Sequence, residues 1–152
     1  MMVFRLSKAI YANDLSGAGA ERVGGRWNGR GTPMLYTSSS RALCVTEIAV
    51  HMPLGLVPND YAMVTLELTN VKLHEIKATD LPKTWNSFPH SHTTQLIGDR
   101  FVREAKHLVM KVPSAAVQGE FNFLINPCHK DIAKVKAVNV EPFRFDVRLF
   151  KR

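Results

Sequence analysis

No run of apolar residues in this sequence approaches the roughly 18 that a membrane-spanning helix needs. The opening stretch, MMVFRLSK, has no long apolar segment of the kind that marks a secretory signal. Cysteine is scarce: Cys44 and Cys128 are far apart and belong to no CxxC pair. That removes a disulfide framework and a thiol redox motif, and leaves a cytoplasmic protein with free thiols as the expectation. Histidines are present, but they form no HExxH, and His90 and His92 alternating in a loop are a weak metal signal. No metal site is therefore expected. GxxxxGK[ST], a GxGxxG opening a helix, and GxSxG are all missing, which sets aside the P-loop, the Rossmann fingerprint and the hydrolase nucleophile elbow.

Negative charge is in short supply. Twenty Lys and Arg against thirteen Asp and Glu give a net charge of +7, with a pI near 9.7. The basic residues are scattered, and the densest group, Lys130–Lys136, is broken by Asp131, Ile132, Ala133 and Val135. There is no interleaving of Lys and Arg with aromatics and no helix-turn-helix, zinc-finger or RNP signature, so direct nucleic-acid binding is not expected. Anionic ligands fit the charge: phosphates, dinucleotides or an acidic protein partner. A basic nucleic-acid-binding module stands as the alternative from a different class.

What is present reads as one domain over residues 1–152, long enough for one core. Strands are expected at Val3–Leu6, Met34–Thr37, Tyr61–Leu68, Val71–Ile76, His107–Val112 and Phe121–Ile125. Val138–Val140 and Phe143–Leu149 close the sheet. Thr69-Asn70 suggests a hairpin joining the Tyr61 and Val71 strands. Ser38–Ser40 offer N-caps for a helix over Arg41–His51, which Pro53 ends. A second helix is expected over Thr93–Lys106 with Leu96, Ile97, Phe101 and Val102 on its buried side, and a helical turn at Asp131–Val135. Ser7–Pro33 and Leu81–His92 read as loops. Short strands with two inserted helices indicate an α+β fold with a mixed or antiparallel sheet.

Four segments carry candidate chemistry. Gly24–Gly31 contains glycines that let backbone N–H groups approach an anion, Arg26 and Arg30 that can grip phosphate oxygens, and Trp27 and Asn28 that can meet a base or an amide. Composition alone does not separate this from a solvated surface loop. Glu47 sits among Leu43, Cys44, Val45, Ile48 and Val50, either facing water or held at a site. Tyr36-Thr37-Ser38 ends a strand before that helix: Tyr36 can stack on a ring while Ser38 or Ser39 caps the helix, although a core aromatic with a routine cap is the commoner outcome for such residues. Ser114, Asn122 and Asn126 lie at strand ends, where polar side chains commonly bond to turn backbone.

In order and spacing these pieces resemble the RES domain, named for its Arg, Glu and Ser. The resemblance covers Phe4-Arg5-Leu6, Gly25-Arg26-Trp27-Asn28, Tyr36-Thr37-Ser38 with Glu47, Ile97-Gly98-Asp99, Val112-Pro113-Ser114 and Asn122 through Pro127 with His129. Lys130 and Gly119 depart slightly from the pattern. The resemblance implies an ADP-ribosyltransferase-like α+β fold and a toxin of a toxin–antitoxin pair that degrades NAD⁺ by hydrolysis or phosphorolysis. ADP-ribosylation of a protein target is the alternative within that family. It implies Glu47, Arg26 and Tyr36 as the catalytic set and Arg5, Trp27, Asn28, Ser114 and Asn126 as further binding residues. NAD⁺ would be the substrate, no other cofactor is needed, and inorganic phosphate is the co-substrate in phosphorolysis. An Xre-like antitoxin is the implied partner, and a homo-oligomer is compatible with the sequence.

Overall fold

The computed structural model describes residues 1–151. Its strands are β1 (Met2–Lys8), β2 (Leu35–Ser38), β3 (Tyr61–Leu68), β4 (Leu73–Glu75), β5 (Val109–Pro113), β6 (Phe121–Ile125) and β7 (Val135–Phe143). They form one sheet in the order β4-β5-β6-β2-β1-β3-β7. The β4–β5 pair is parallel and the other pairs are antiparallel. Three α-helices accompany it: α1 (Ala18–Val23), α2 (Arg41–His51) and α3 (His92–Glu104). The architecture is α+β with a mixed sheet.

Side chains alternate across a strand, so each strand divides its apolar residues between two faces. Phe123 and Ile125 of β6 join Val3, Leu35, Val64 and Leu66 on one face. Leu124, between them, joins Trp27, Met34, Phe101, Met110 and Val112 on the other. Cross-strand register places Leu6 and Met63 on that same second face, where they pack with Cys44 of α2, Phe145 and Phe150. Helices α2 and α3 thus cover one face side by side, α2 over β1 and α3 over β5 and β6. Ser40 caps α2, its side chain accepting from the Leu43 N–H, and Ser91 caps α3 through Thr93.

Between the two helices the sheet parts. Strand β1 pairs with β3 along its whole length, Met2 to Lys8, yet meets β2 only at Phe4↔Ser38. Beyond that point β1 and β2 diverge and leave a wedge in the middle of the sheet.

Several expectations are corrected here. The Tyr61 and Val71 strands do not form a hairpin: both edges of β3 are taken by β1 and β7, so β4 crosses to pair parallel with β5. Val138–Val140 and Phe143–Leu149 are not two strands. One strand runs Val135–Phe143, tolerating Pro142 because it lies at the sheet edge. A 3-10 turn, Val147–Leu149, then follows, capped by Asp146. The buried stripe of α3 runs through Thr94, Gly98 and Phe101, which turns Leu96 outward, 55% exposed. The long Ser7–Pro33 segment carries the short helix α1, whose six residues lack an apolar periodicity and bury none of their side chains.

Candidate functional site

A cleft of about 410 Å³ opens at the wedge, walled by β1, β2, α2, the Gly24–Trp27 segment and His90. Glu47, Arg26, Tyr36, Arg5 and Trp27 all line it.

Glu47 lies in the middle of α2, half-buried, with the side that faces the strands set by Leu43 and Cys44. One carboxylate oxygen, Oε1, accepts two hydrogen bonds: from Ser114 Oγ at 2.8 Å and from Asn122 Nδ2 at 2.7 Å. Both donors are themselves fixed. Ser114 Oγ accepts from the N–H groups of Ala116 and Val117, and Asn122 Oδ1 accepts from Ser38 Oγ at 2.8 Å. Oε2 makes no hydrogen bond among the described residues and is free for a ligand.

Arg26 is held differently. Its Nη1 donates to two backbone carbonyls of the Leu81–His92 loop, Trp85 O and Ser87 O, each at 2.9 Å. Burial lowers the guanidinium's pKa, while Glu47 and Tyr36 pull it back up. Trp85 is the anchor of an otherwise exposed stretch, its ring tilted against Trp27 with centroids 6.3 Å apart.

Tyr36 is tied at its hydroxyl, which donates to Asn28 Oδ1 at 2.7 Å and accepts from the Trp27 N–H at 3.1 Å. Burial raises the phenol far above its ordinary pKa, so it stays a neutral hydroxyl. Gly25 passes so close that an added Cβ would lie 2.7 Å from that oxygen. Arg5, in β1, donates through Nη1 to the carbonyls of Asp14 (3.1 Å) and Tyr11 (3.4 Å), and burial again lowers its pKa.

Other sequence candidates fall into supporting positions. Asn28 is fully buried and does not line the cleft. Its amide donates to Ala20 O, Gly29 O and Thr32 O, and its oxygen takes the Tyr36 hydroxyl. It shapes the loop and sets Tyr36. Trp27 puts its side chain in the core beside Met34 and Phe101 and forms the floor of the site. Ser114 reaches the cleft only through Glu47. Asn126 is not brought to the site: it organises the turn after β6, donating to Val102 O and accepting from the Cys128 N–H.

Sequence reasoning left several residues without a role. Trp85, His51, His90 and Cys44 border the site but lie in no motif that marks them. Burial pushes the Cys44 thiol up to about 11, so it is a protonated wall residue. His90 has its pKa lowered by burial, then by Arg26 and His51. From α3, Gln95 Nε2 donates to Gly25 O at 2.9 Å and Asp99 Oδ1 accepts the Gly29 N–H at 2.9 Å. These two residues, one turn apart, clamp the glycine-rich loop. Gly98 lies between them against the Trp27 backbone, where a Cβ would fall 1.5 Å from the Trp27 carbonyl oxygen. The Ile97-Gly98-Asp99 pattern is the sequence trace of that contact. Among the described residues no group of three or more His, Cys, Asp or Glu is placed to hold a metal ion, and no helix is long and apolar enough to cross a membrane.

The chain is similar to known proteins along nearly its whole length. The model of the RES domain matches residues 2–147. A protein of Sphingobium sp. (strain YBL2) named "Prs ADP-ribosylating toxin" is 35% identical over 149 residues, covering 96% of this chain and 92% of that protein. Proteins named "Toxin Res" from Photorhabdus laumondii (32% identical; 99% of this chain, 98% of the relative) and Pseudomonas putida (34%; 99% and 100%) match end to end. Among solved structures, the crystal structure of the M. tuberculosis MbcT–MbcA toxin–antitoxin complex superposes with a TM-score of 0.75. It covers 94% of this chain and 84% of the matched one at 18% identity, a likeness of fold. With a family model spanning nearly its whole length and relatives above 30% identity, the chain belongs to the RES-domain family.

Proposed function

We propose that this chain is the toxin of a toxin–antitoxin pair and that it cleaves NAD⁺ at the nicotinamide–ribose bond. The observation that carries the reading is Glu47. It is a carboxylate pinned through one oxygen by two donors from the sheet, with its second oxygen free in the same cleft as Arg26.

The reaction breaks the bond between the ribose C1′ and the pyridinium nitrogen. The nitrogen keeps the electron pair and nicotinamide leaves neutral, so positive charge moves onto the ribose as oxocarbenium character. A negative charge held at fixed distance stabilises that transition state more than the ground state. The free oxygen of Glu47 supplies the charge, and Ser114 and Asn122 prevent its rotation. Arg26 keeps unengaged N–H donors after satisfying Trp85 and Ser87, a planar fork suited to pyrophosphate oxygens. Tyr36, with its hydroxyl tied back, offers a ring face to the nicotinamide or its ribose. The incoming oxygen forms the new bond to C1′: water then loses one proton to solvent, whereas the phosphate dianion attacks through an unprotonated oxygen and loses none.

Transfer of the same ADP-ribosyl group to a protein is the second reading, favoured by the name of the Sphingobium relative. The end-to-end match to proteins named as toxins and the fold shared with a toxin–antitoxin complex support an antitoxin partner, for which an Xre-like protein is our proposal. The test is to incubate the purified chain with NAD⁺, in buffers with and without phosphate, and to follow nicotinamide and the sugar product by chromatography. Free ADP-ribose identifies water as acceptor, ADP-ribose phosphate identifies phosphate, and label carried into protein identifies transfer. Absence of nicotinamide in every arm overturns the reading.

A further inference from the structure

The Leu81–His92 loop that holds Arg26 is itself held at few points. Leu81 and Trp85 reach the core, and His90 reaches the cleft. His90 lies edge-on to His51, the last residue of α2, with ring centroids 6.5 Å apart, and to Phe88 of its own loop at 5.7 Å. His51 stands one helical turn beyond Glu47, so the loop closes against the helix that carries the carboxylate. Within the His90 ring, Nδ1 is buried and has no hydrogen-bond partner among the described residues.

We propose that His90 is a positioning residue that keeps the Arg26 clamp closed only while its ring is uncharged, so that acid loosens the cleft's grip on an anionic substrate. The inference rests on the reading of Arg26 as the anchor of the dinucleotide. A neutral imidazole leaves Nδ1 as an unpaired acceptor. A proton there makes it a charged donor buried without an acceptor, and the desolvation penalty applies in full. The neighbours add to that penalty. The titratable side chains that share the cleft with His90 are Arg26 from the glycine-rich segment, Arg5 from β1, Tyr36 from β2, and Cys44, Glu47 and His51 from α2. Glu47 is the only acid among them. Its Oε1 is taken by Ser114 and Asn122, and its charge acts on Arg26. Burial, then Arg26 and His51, accordingly lower the pKa of His90. Closure is therefore fully favoured above the ordinary imidazole value of about 6.5 and is lost as pH falls through the lower value of the closed form. Trp85 and Ser87 lie just before His90 in the chain, so opening there loosens both carbonyls that hold Arg26.

The experiment measures nicotinamide release against NAD⁺ concentration at about pH 7.5 and about pH 5.5, and follows tryptophan emission of the substrate-free chain between the same limits. In the unmodified chain KM should rise about tenfold on acidification with a smaller fall in kcat, and emission should shift as Trp85 moves from Trp27. His90→Phe keeps a ring against His51 and Phe88 but takes no proton. Its KM should change by less than about twofold over the same range, with level emission. His90→Gln, also uncharged, serves the same purpose if the phenylalanine variant does not fold. His90→Lys carries its charge throughout and should show the raised KM already at the higher pH. A pH dependence of KM in folded His90→Phe or His90→Gln equal to that of the unmodified chain overturns the proposal, as does a KM in the unmodified chain that does not move with pH. An emission change confined to the chain with His90, without nicotinamide release from any of them, upholds the positioning role and overturns the cleavage reading instead.

Discussion

The two charged groups that face each other across the cleft are secured in opposite ways. Glu47 sits on a long helix and is held by side chains from β6 and from the end of β5, each with further partners of its own. Arg26 sits on an irregular segment and is held by backbone carbonyls of another irregular segment, whose mostly exposed course is anchored to the core by Leu81 and Trp85. Side chains on strands fix a position to within the stiffness of the sheet, whereas a loop clamp can yield. On the proposed reading the rigid carboxylate meets a demand that leaves no latitude, charge at one point in a transition state, and the more yielding guanidinium grips a flexible pyrophosphate.

That contrast can be broken at several points. Glu47→Gln is nearly isosteric and keeps an oxygen for Ser114 and Asn122, so the fold should survive. Removal of the charge should lower kcat by on the order of a hundredfold or more with little change in NAD⁺ binding, read by steady-state nicotinamide release and calorimetry. Near-normal kcat in a folded variant would place Glu47 outside the chemistry. Loosening the carboxylate without removing it is the next step down. The pair Ser114→Ala and Asn122→Ala should cost about tenfold in kcat, and more together than the larger single effect, because each donor restrains the same oxygen.

On the other wall the effects should appear in KM. Arg26→Lys keeps charge but loses the fork, and a rise of about tenfold in KM for NAD⁺ with a smaller change in kcat is expected. Trp85→Ala leaves both clamping carbonyls in the chain but removes their anchor. KM should rise by about threefold, and Trp85→Phe should restore most of the loss. A kcat effect in Trp85→Ala as large as in Glu47→Gln would erase the proposed division between a rigid wall and an adjustable one.

How much of this was legible beforehand follows the same division. Arg26, Tyr36 and Glu47 lie close in sequence, and their order and spacing marked them before any contact was known. The helix over Arg41–His51 was readable to the residue because serine caps and a proline bracket it. The partners of Glu47 were not readable, since Asn122 and Ser114 lie 75 and 67 residues away and meet it only through sheet order. Asn28 and Asn126 are a different case: both are buried and bonded to nearby backbone. A polar side chain in a motif can serve the backbone around it, and burial alone reveals which. The supposed hairpin after β3 failed for a reason of topology: local turn residues say that a chain can reverse, not whether the neighbouring strand edge is vacant.

The bare backbone of Gly98 has a mechanical consequence. Helix α3 touches the glycine-rich loop at three successive levels: Gln95 on the Gly25 carbonyl, Gly98 against the Trp27 carbonyl, and Asp99 on the Gly29 amide. Only a residue without a side chain lets the helix come that near, and the hydrogen bonds on either side allow it no travel along its axis. The contact works as an index pin between two parts that otherwise belong to different layers. A shift of α3 by one residue would drive a side chain into the Trp27 backbone. Helix and loop must therefore move as one body, and whatever freedom Arg26 has comes from the clamp at Trp85 and not from the ground on which it stands.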